Sequence, residues 1–247
     1  MPLPKIATPT YSMVLPSTEK EINYRPFLVK EEKLLVLALE TEDTKQITTA
    51  IKAVLKNCVL TKGIKIESLP TFDIEYLFLN IRGKSVGESL DVNIICPDDE
   101  KTSVQVVIDL DDIKVNKTEG HSNKVELDKN LMMELKYPSL EEFIKSNFDF
   151  KDENAMDQSF KLIASCVDKI YTDEEVWAAG DCTKKEITEF LESMNSSQFK
   201  KIEEFFTSMP KLSHTIKVKN PNTKVESEVV LEGLASFSGS NDPHGSC

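Results

Sequence analysis

The chain has 247 residues, 40% of them apolar and 29% charged, a composition that supports one large or two small folded domains and argues against disorder. Its net charge of −12 repels phosphate backbones and anionic membrane surfaces, so proteins rather than nucleic acid are the expected partners. The longest apolar run, Leu34 to Leu39, is too short to span a bilayer, and no apolar signal segment follows Met1. Five scattered cysteines without a Cys-x-x-Cys spacing point to reduced thiols, not a disulfide framework.

In chain order, Thr10 to Leu15 and Glu21 to Tyr24 read as a hairpin around the turn-rich Pro16 to Lys20. Phe27 to Leu39 predicts a helix so apolar that it should lie deep in a core. Asp43 to Cys58 predicts a second, with Ile47, Ile51, Val54, Leu55 and Cys58 on one buried face. A third starts at Pro70, which suits a first turn, carries apolar residues on two sides, and is expected to break at Gly83 and Gly87. Leu90 to Leu110 is then a two-stranded ribbon ending near Ile113.

Asn116 to Asn123 reads as a loop, and Val125 to Leu127 with Met132 to Tyr137 as a further hairpin. Helical texture follows over Leu140 to Asn147, Ala155 to Ile170, Lys184 to Ser193 and Ser196 to Ser208. Thr183 with Glu186, and Asn195 with Gln198, have the spacing of reciprocal helix caps. A second ribbon, His214 to Leu231, turns at Asn220 to Thr223, and Ser238 to Cys247 reads as a mobile tail.

The two ribbons can be laid over each other without a gap, Pro97 to Leu110 on Pro221 to Leu234. The match pairs Pro97 with Pro221, Ser103 with Ser227, Val106 with Val230, Val107 with Leu231 and Leu110 with Leu234, and Ile113 falls on Phe237. An apolar helix precedes each ribbon and is expected to pack against it, because a lone ribbon is only marginally stable in water. The expected fold is therefore α+β: two helix-plus-ribbon units, resembling degenerate zinc ribbons, with additional helices. The expected division is an N-terminal α+β domain over 1–138, a helical domain with the second ribbon over 139–237, and a tail over 238–247.

Residues suited to covalent chemistry are sparse. His121, His214 and His244 stand apart from any flanked nucleophile. The acidic groups Asp98 to Glu100, Asp109 to Asp112 and Asp173 to Glu175 read as solvated turns. Arg82-Gly-Lys-Ser-Val-Gly87 lacks the earlier glycine of a phosphate loop. Cys96-Pro-Asp-Asp99 sits where a zinc ribbon carries its Cys-x-x-Cys, but Asp99 replaces the second thiol. The expectation is a protein without catalytic residue, metal, cofactor or small-molecule substrate. Arg82 and Lys84, with Glu88, are candidate anchors for a partner's charges, against the plainer reading in which Gly83 and Gly87 end a helix and Lys84 is solvated. An enzyme with an unrecognised site and a degenerate zinc ribbon that binds nucleic acid remain open as alternatives.

Four segments, Pro4 to Tyr11, Tyr24-Arg-Pro-Phe-Leu-Val-Lys-Glu-Glu-Lys33, Leu79-Asn-Ile-Arg-Gly-Lys-Ser-Val-Gly-Glu88 and Leu231 to Phe237, carry a family resemblance. They resemble the baseplate hub proteins of T-even-type contractile-tailed bacteriophages and their cyanophage relatives. The resemblance covers most of Pro4 to Phe237 and is strongest in the first hundred residues. It implies a non-enzymatic structural or assembly role in building the tail baseplate, with other hub proteins as partners. It also implies residence in the host cytoplasm during assembly, or in the virion baseplate. Relatives often carry Cys-x-x-Cys-like ribbon tips, a pattern from which Asp99 departs.

Overall fold

The computed structural model describes residues 6–41, 43–140 and 155–237. The helix expected over Leu140 to Asn147, beyond its first residue, and the tail from Ser238 lie outside the described residues. In chain order the elements begin with β1 (Tyr11–Val14), β2 (Glu21–Tyr24), α1 (Val29–Leu39), α2 (Thr44–Cys58), α3 (Thr71–Val86), β3 (Ser89–Ile95), β4 (Ser103–Asp109) and β5 (Lys114–Asn116). They continue with β6 (Lys124–Asp128), β7 (Leu131–Leu135), α4 (Ala155–Cys166), β8 (Val167–Tyr171), β9 (Val176–Ala178), α5 (Lys184–Glu192), α6 (Ser196–Ser208), β10 (Lys211–Lys219), β11 (Glu226–Glu232) and α7 (Gly233–Phe237). The strands form four small antiparallel sheets, ordered β1-β2, β3-β4, β11-β10-β5 and β6-β7-β8-β9. The chain is α+β, as its sequence predicts.

Three hairpins turn in the same way. At their tips the Glu19 amide donates to the Leu15 carbonyl (2.8 Å), Glu100 to Cys96 (2.9 Å) and Lys224 to Asn220 (2.9 Å). Each turn opens on a proline, Pro16, Pro97 or Pro221, whose ring fixes φ for the bend. Each then reaches a left-handed residue: Glu19 at φ 56°, Glu100 at 54° and Lys224 at 67°. These are the only non-glycine residues with positive φ among those described.

The shared turn explains the apparent duplication and corrects it. Asn220 bonds back to Val225, whereas Cys96 bonds back to Thr102, so the first turn holds one more residue after its left-handed position. The outgoing strands are thereby offset by one residue, which reverses their faces. Val92 stands opposite Val106 and Ile216 opposite Val229, so Val106 corresponds to Val229. Val230, its partner in the ungapped match, is 56% exposed. Gly233, at φ 70°, restores the register, and Leu234 and Phe237 occupy buried places like those of Leu110 and Ile113. The ungapped repeat through the outgoing strand is a coincidence; the common feature is the turn.

Two apolar clusters form the interior. The first gathers Ile22 and Tyr24, Ile47, Val54 and Leu55 of α2, the α3 residues Ile74, Leu77, Leu79 and Ile81, and the inward faces of both ribbons, closed by Leu234 and Phe237. The second packs Val125, Leu127, Met133, Leu135, Val167 and Ile170 of the four-stranded sheet against Ile163, Ile187, Leu191, Ile202 and Phe205. The clusters do not part at residue 138. The second ribbon joins the first cluster, and α6, expected to support that ribbon, instead turns Ile202 and Phe205 toward the four-stranded sheet. The ribbon leans on α3 and α7.

Helix starts follow their caps. Asp43 accepts the Lys45 amide at 2.8 Å, and the Thr183–Glu186 and Asn195–Gln198 reciprocal caps both form. The expected α2 stripe is buried throughout. Three expectations need correction. Helix α4 ends at Cys166, because Val167 and Ile170 pair with Leu135 and Met133 and the sheet overrides the helical pattern. Helix α3 runs through Gly83 to Val86, stopping only at Gly87. Helix α1 is not deep in the core: Glu31, Leu35 and Ala38 face inward, while Val29 and Leu37 are 78% and 50% exposed.

Candidate docking site

Three of the segments that carry the family resemblance meet around the C-terminal end of α3, through Tyr11, Tyr24 to Phe27 and Lys84 to Glu88, while the fourth packs on the first half of α3 at Glu75. Arg25 forms an ion pair with buried Glu31 (2.9 Å), which also accepts the Leu28 amide (2.8 Å) at the start of α1. Burial opposes ionisation of Glu31, but hydrogen bonds from Arg25 and the Leu28 amide outweigh it and hold its pKa below the ordinary carboxylate value. The Phe27 amide donates to Ser85 Oγ (3.0 Å), tying the start of α1 to the last turn of α3. Tyr11 and Tyr24 pack with ring centroids 5.9 Å apart, and the Lys84 ammonium stands 5.3 Å from the Tyr11 ring centre.

Of the three candidate partner-binding residues, Lys84 and Glu88 are brought together as an ion pair one helical turn apart. The hydrogen bond that Lys84 donates to Glu88 raises the Lys84 pKa. Arg82 is half-buried, and its position two residues before Lys84 puts it on a different side of the helix. Gly83 has a packing role: a Cβ there would run into Leu110 Cδ1, the end of a side chain that would have to shift to admit it. Gly87, at φ 145°, ends the helix, its amide bonded to the Gly83 carbonyl at 3.0 Å.

The ribbon tips interlock. Asn220, itself buried, donates to both carboxylate oxygens of Asp98 (3.0 and 3.1 Å), Thr223 Oγ1 donates to the same group (2.5 Å), and Asn222 donates to Thr102 (3.0 Å). The bonds from Thr223 and Asn220 lower the Asp98 pKa. Asp99, the residue at the second zinc-ligand spacing, is occupied within its own turn. It accepts from the Thr102 amide and hydroxyl and from the Lys101 amide, and these bonds lower its pKa. Burial, then Asp98 and Asp99, push the Cys96 thiol up, away from the thiolate that a metal requires. Among the described residues no group of three or more His, Cys, Asp or Glu side chains is placed to hold a metal ion.

Other reactive groups are similarly engaged. His121 clusters with the rings of Tyr137 and Phe205, which also contact each other, and its ring nitrogens lie 2.9 Å from Ser208 Oγ and 3.0 Å from Tyr137 Oη. Burial lowers its pKa, favouring the neutral ring. Cys58 is pushed up to about 11 by burial, so its thiol is protonated near neutrality. His214 is half-buried on β10, and His244 lies outside the described residues.

Two buried acids on α3 escaped the sequence reading. Asp73 accepts the Ser17 amide (3.0 Å) and hydroxyl at the first hairpin's turn; burial still raises its pKa. Glu75 faces α7, accepts the Leu234 amide (3.4 Å), and is pushed up to about 7 by burial. Their signal was present as two acids inside the apolar run Phe72-Asp-Ile-Glu-Tyr-Leu-Phe-Leu79.

The family described as T4 bacteriophage base plate protein matches residues 8–238. The chain belongs to that family. Neither a curated protein nor a solved structure matches it. The family match makes this a bacteriophage baseplate structural protein, whose partners are proteins of the baseplate. Its span takes in every described element, including the returning second ribbon and α7. No described helix is long and apolar enough to cross a membrane.

Proposed function

We propose that this baseplate protein is a component of the hub, built or joined in the host cytoplasm through docking with other hub proteins and without a reactive group. The carrying observation is the match to the base plate family across residues 8–238. The internal engagement of His121, Asp99, Asp73 and Lys84 supports docking in place of catalysis.

Two surfaces are proposed for docking. One is the Arg82 to Glu88 segment, where Arg82, Lys84 and Glu88 offer charge. A surface ion pair contributes only about 0–1 kcal/mol, so a partner carboxylate can take Lys84 from Glu88 at small cost. The other is the outer edge of β11, which pairs with β10 on one side and presents open backbone groups on the other among the described residues. Its Glu226 and Glu228 are balanced by Lys219 and Lys217 at 3.7 and 3.6 Å, leaving the edge without a strong charge of its own.

Co-expression with hub components followed by pull-down tests the reading. Lys84→Glu, alone and with Arg82→Glu, is expected to weaken capture while the Lys84 variant keeps its melting temperature. Replacement of His121 and His214 by Ala is expected to leave assembly intact. If those histidine variants fold yet fail to assemble, while the charge reversals assemble normally, the docking reading is wrong and an enzyme should be sought.

A further inference from the structure

From Leu34 to Leu39 helix α1 is apolar on every side, yet only one side of it is covered among the described residues. Glu31, Leu35 and Ala38 face inward, with α2 as the principal neighbour. The opposite side carries Val29, Val36 and Leu37, with Leu34 at its margin, and all four are exposed. A surface helix ordinarily turns polar residues outward, and one apolar on every side is ordinarily buried on every side. The apolar part of the outer face thus stands without a neighbour among the described residues.

The charges on that face indicate the neighbour. Lys33 and Glu40 share it with Val29, Val36 and Leu37, two helical turns apart, and neither has an ion pair among the described residues. The midpoint between them falls between Val36 and Leu37. A two-fold axis through that midpoint sets each Lys33 against the other copy's Glu40, and Val36 of each copy against Leu37 of the other. A parallel, in-register pairing would instead place Lys33 on Lys33. The face is its own complement only in the antiparallel arrangement, as an isologous contact requires.

We propose that the outer face of α1 binds a second copy of this chain, the two helices packing antiparallel across a two-fold axis between Val36 and Leu37. An 11-residue helix is about 16 Å long. Its face buries much less than the roughly 800 Å² per partner of a standard interface. The dimer is therefore weak and strongly concentration-dependent. The contact does not rest on the hub assignment and uses neither of the surfaces proposed above.

Sedimentation equilibrium of the full chain over a wide concentration range tests this. The wild type is expected to show a reversible monomer–dimer equilibrium, and Leu37→Glu to abolish it with an unchanged far-ultraviolet circular dichroism spectrum. Lys33→Glu and Glu40→Lys should each weaken the dimer about tenfold, since each sets like charges together twice. Mixing these two variants should restore association, as should combining both changes in one chain. A wild type that stays monomeric to its solubility limit overturns the proposal. So does a dimer indifferent to Leu37→Glu, or one in which the two charge variants fail to rescue each other.

Discussion

Glu75 gives the sharpest test of the interior. Its carboxyl is buried beneath α7, with the Leu234 amide 3.4 Å away, and its pKa is pushed from 4.5 up to about 7. A carboxyl whose folded pKa lies above its unfolded value holds its proton more tightly when folded. Its contribution to stability is therefore fully present below pH 4.5, is lost as pH rises to about 7, and changes no further above that. At about 1.4 kcal/mol per pH unit, the whole window amounts to about 3 kcal/mol. Glu75→Gln keeps an oxygen to accept the Leu234 amide but cannot ionise. Urea unfolding of both proteins at about pH 5 and about pH 8.5 should show the advantage of the Gln variant growing by about 2.5 kcal/mol between the two conditions. Taking the difference between the proteins cancels the titration of Asp73, His121 and other groups common to both. An advantage that does not change with pH would refute the claim that burial holds a proton on Glu75.

Gly83→Ala should lower stability by about 1 kcal/mol, as overpacking of 1–3 kcal/mol against Leu110 is partly offset by about 1 kcal/mol of helix propensity. Thermal unfolding of Gly83→Ala, Leu110→Ala and the double variant should show that the two changes are less than additive, because trimming Leu110 opens the space that the new methyl needs. Asn220→Ala should cost about 2 kcal/mol, the typical contribution of a hydrogen bond to a charged group. Hydrogen exchange in that variant should quicken at both ribbon tips, around Thr102 and Thr223; faster exchange at one tip only would count against the interlock.

Local signals were legible in the sequence wherever one short segment decided the outcome. The caps at Thr183 and Asn195, the apolar stripe of α2 and the first ribbon all required only nearby residues. The failures share a different cause. Val167 to Tyr171 has a helical context, and its pairing with β7 and β9 makes it a strand. β5 is three residues long and exists because β10 passes beside it. The ungapped ribbon match missed a one-residue difference in turn length that inverts a strand face, and composition alone cannot report such a difference. At the candidate site, the charges of Arg82, Lys84 and Glu88 were legible, but the internal Lys84–Glu88 pair and the Leu110 contact at Gly83 depend on tertiary placement.

The return of the second ribbon to the N-terminal half makes the last test a truncation. The first apolar cluster draws Leu212, Ile216, Val218, Leu231, Leu234 and Phe237 from the last part of the described chain, whereas the buried members of the second cluster all lie between Val125 and Phe205. Burying six such side chains contributes roughly 10 kcal/mol, at about 1.5–3 kcal/mol each and allowing for their incomplete exposure when unfolded. That matches the entire stability of an ordinary domain, about 5–15 kcal/mol. A chain ending at Pro210 should consequently lose its first cluster as a cooperative unit while retaining the second. Hydrogen exchange should then collapse across α2 and α3 but persist across β7, β8 and α6. Protection retained in α2 and α3 would mean that the N-terminal half closes by itself. The surface at Arg82 to Glu88 would then not depend on the second ribbon. Lost protection would mean that this surface forms only once the second ribbon is in place, which would keep a chain without it from docking.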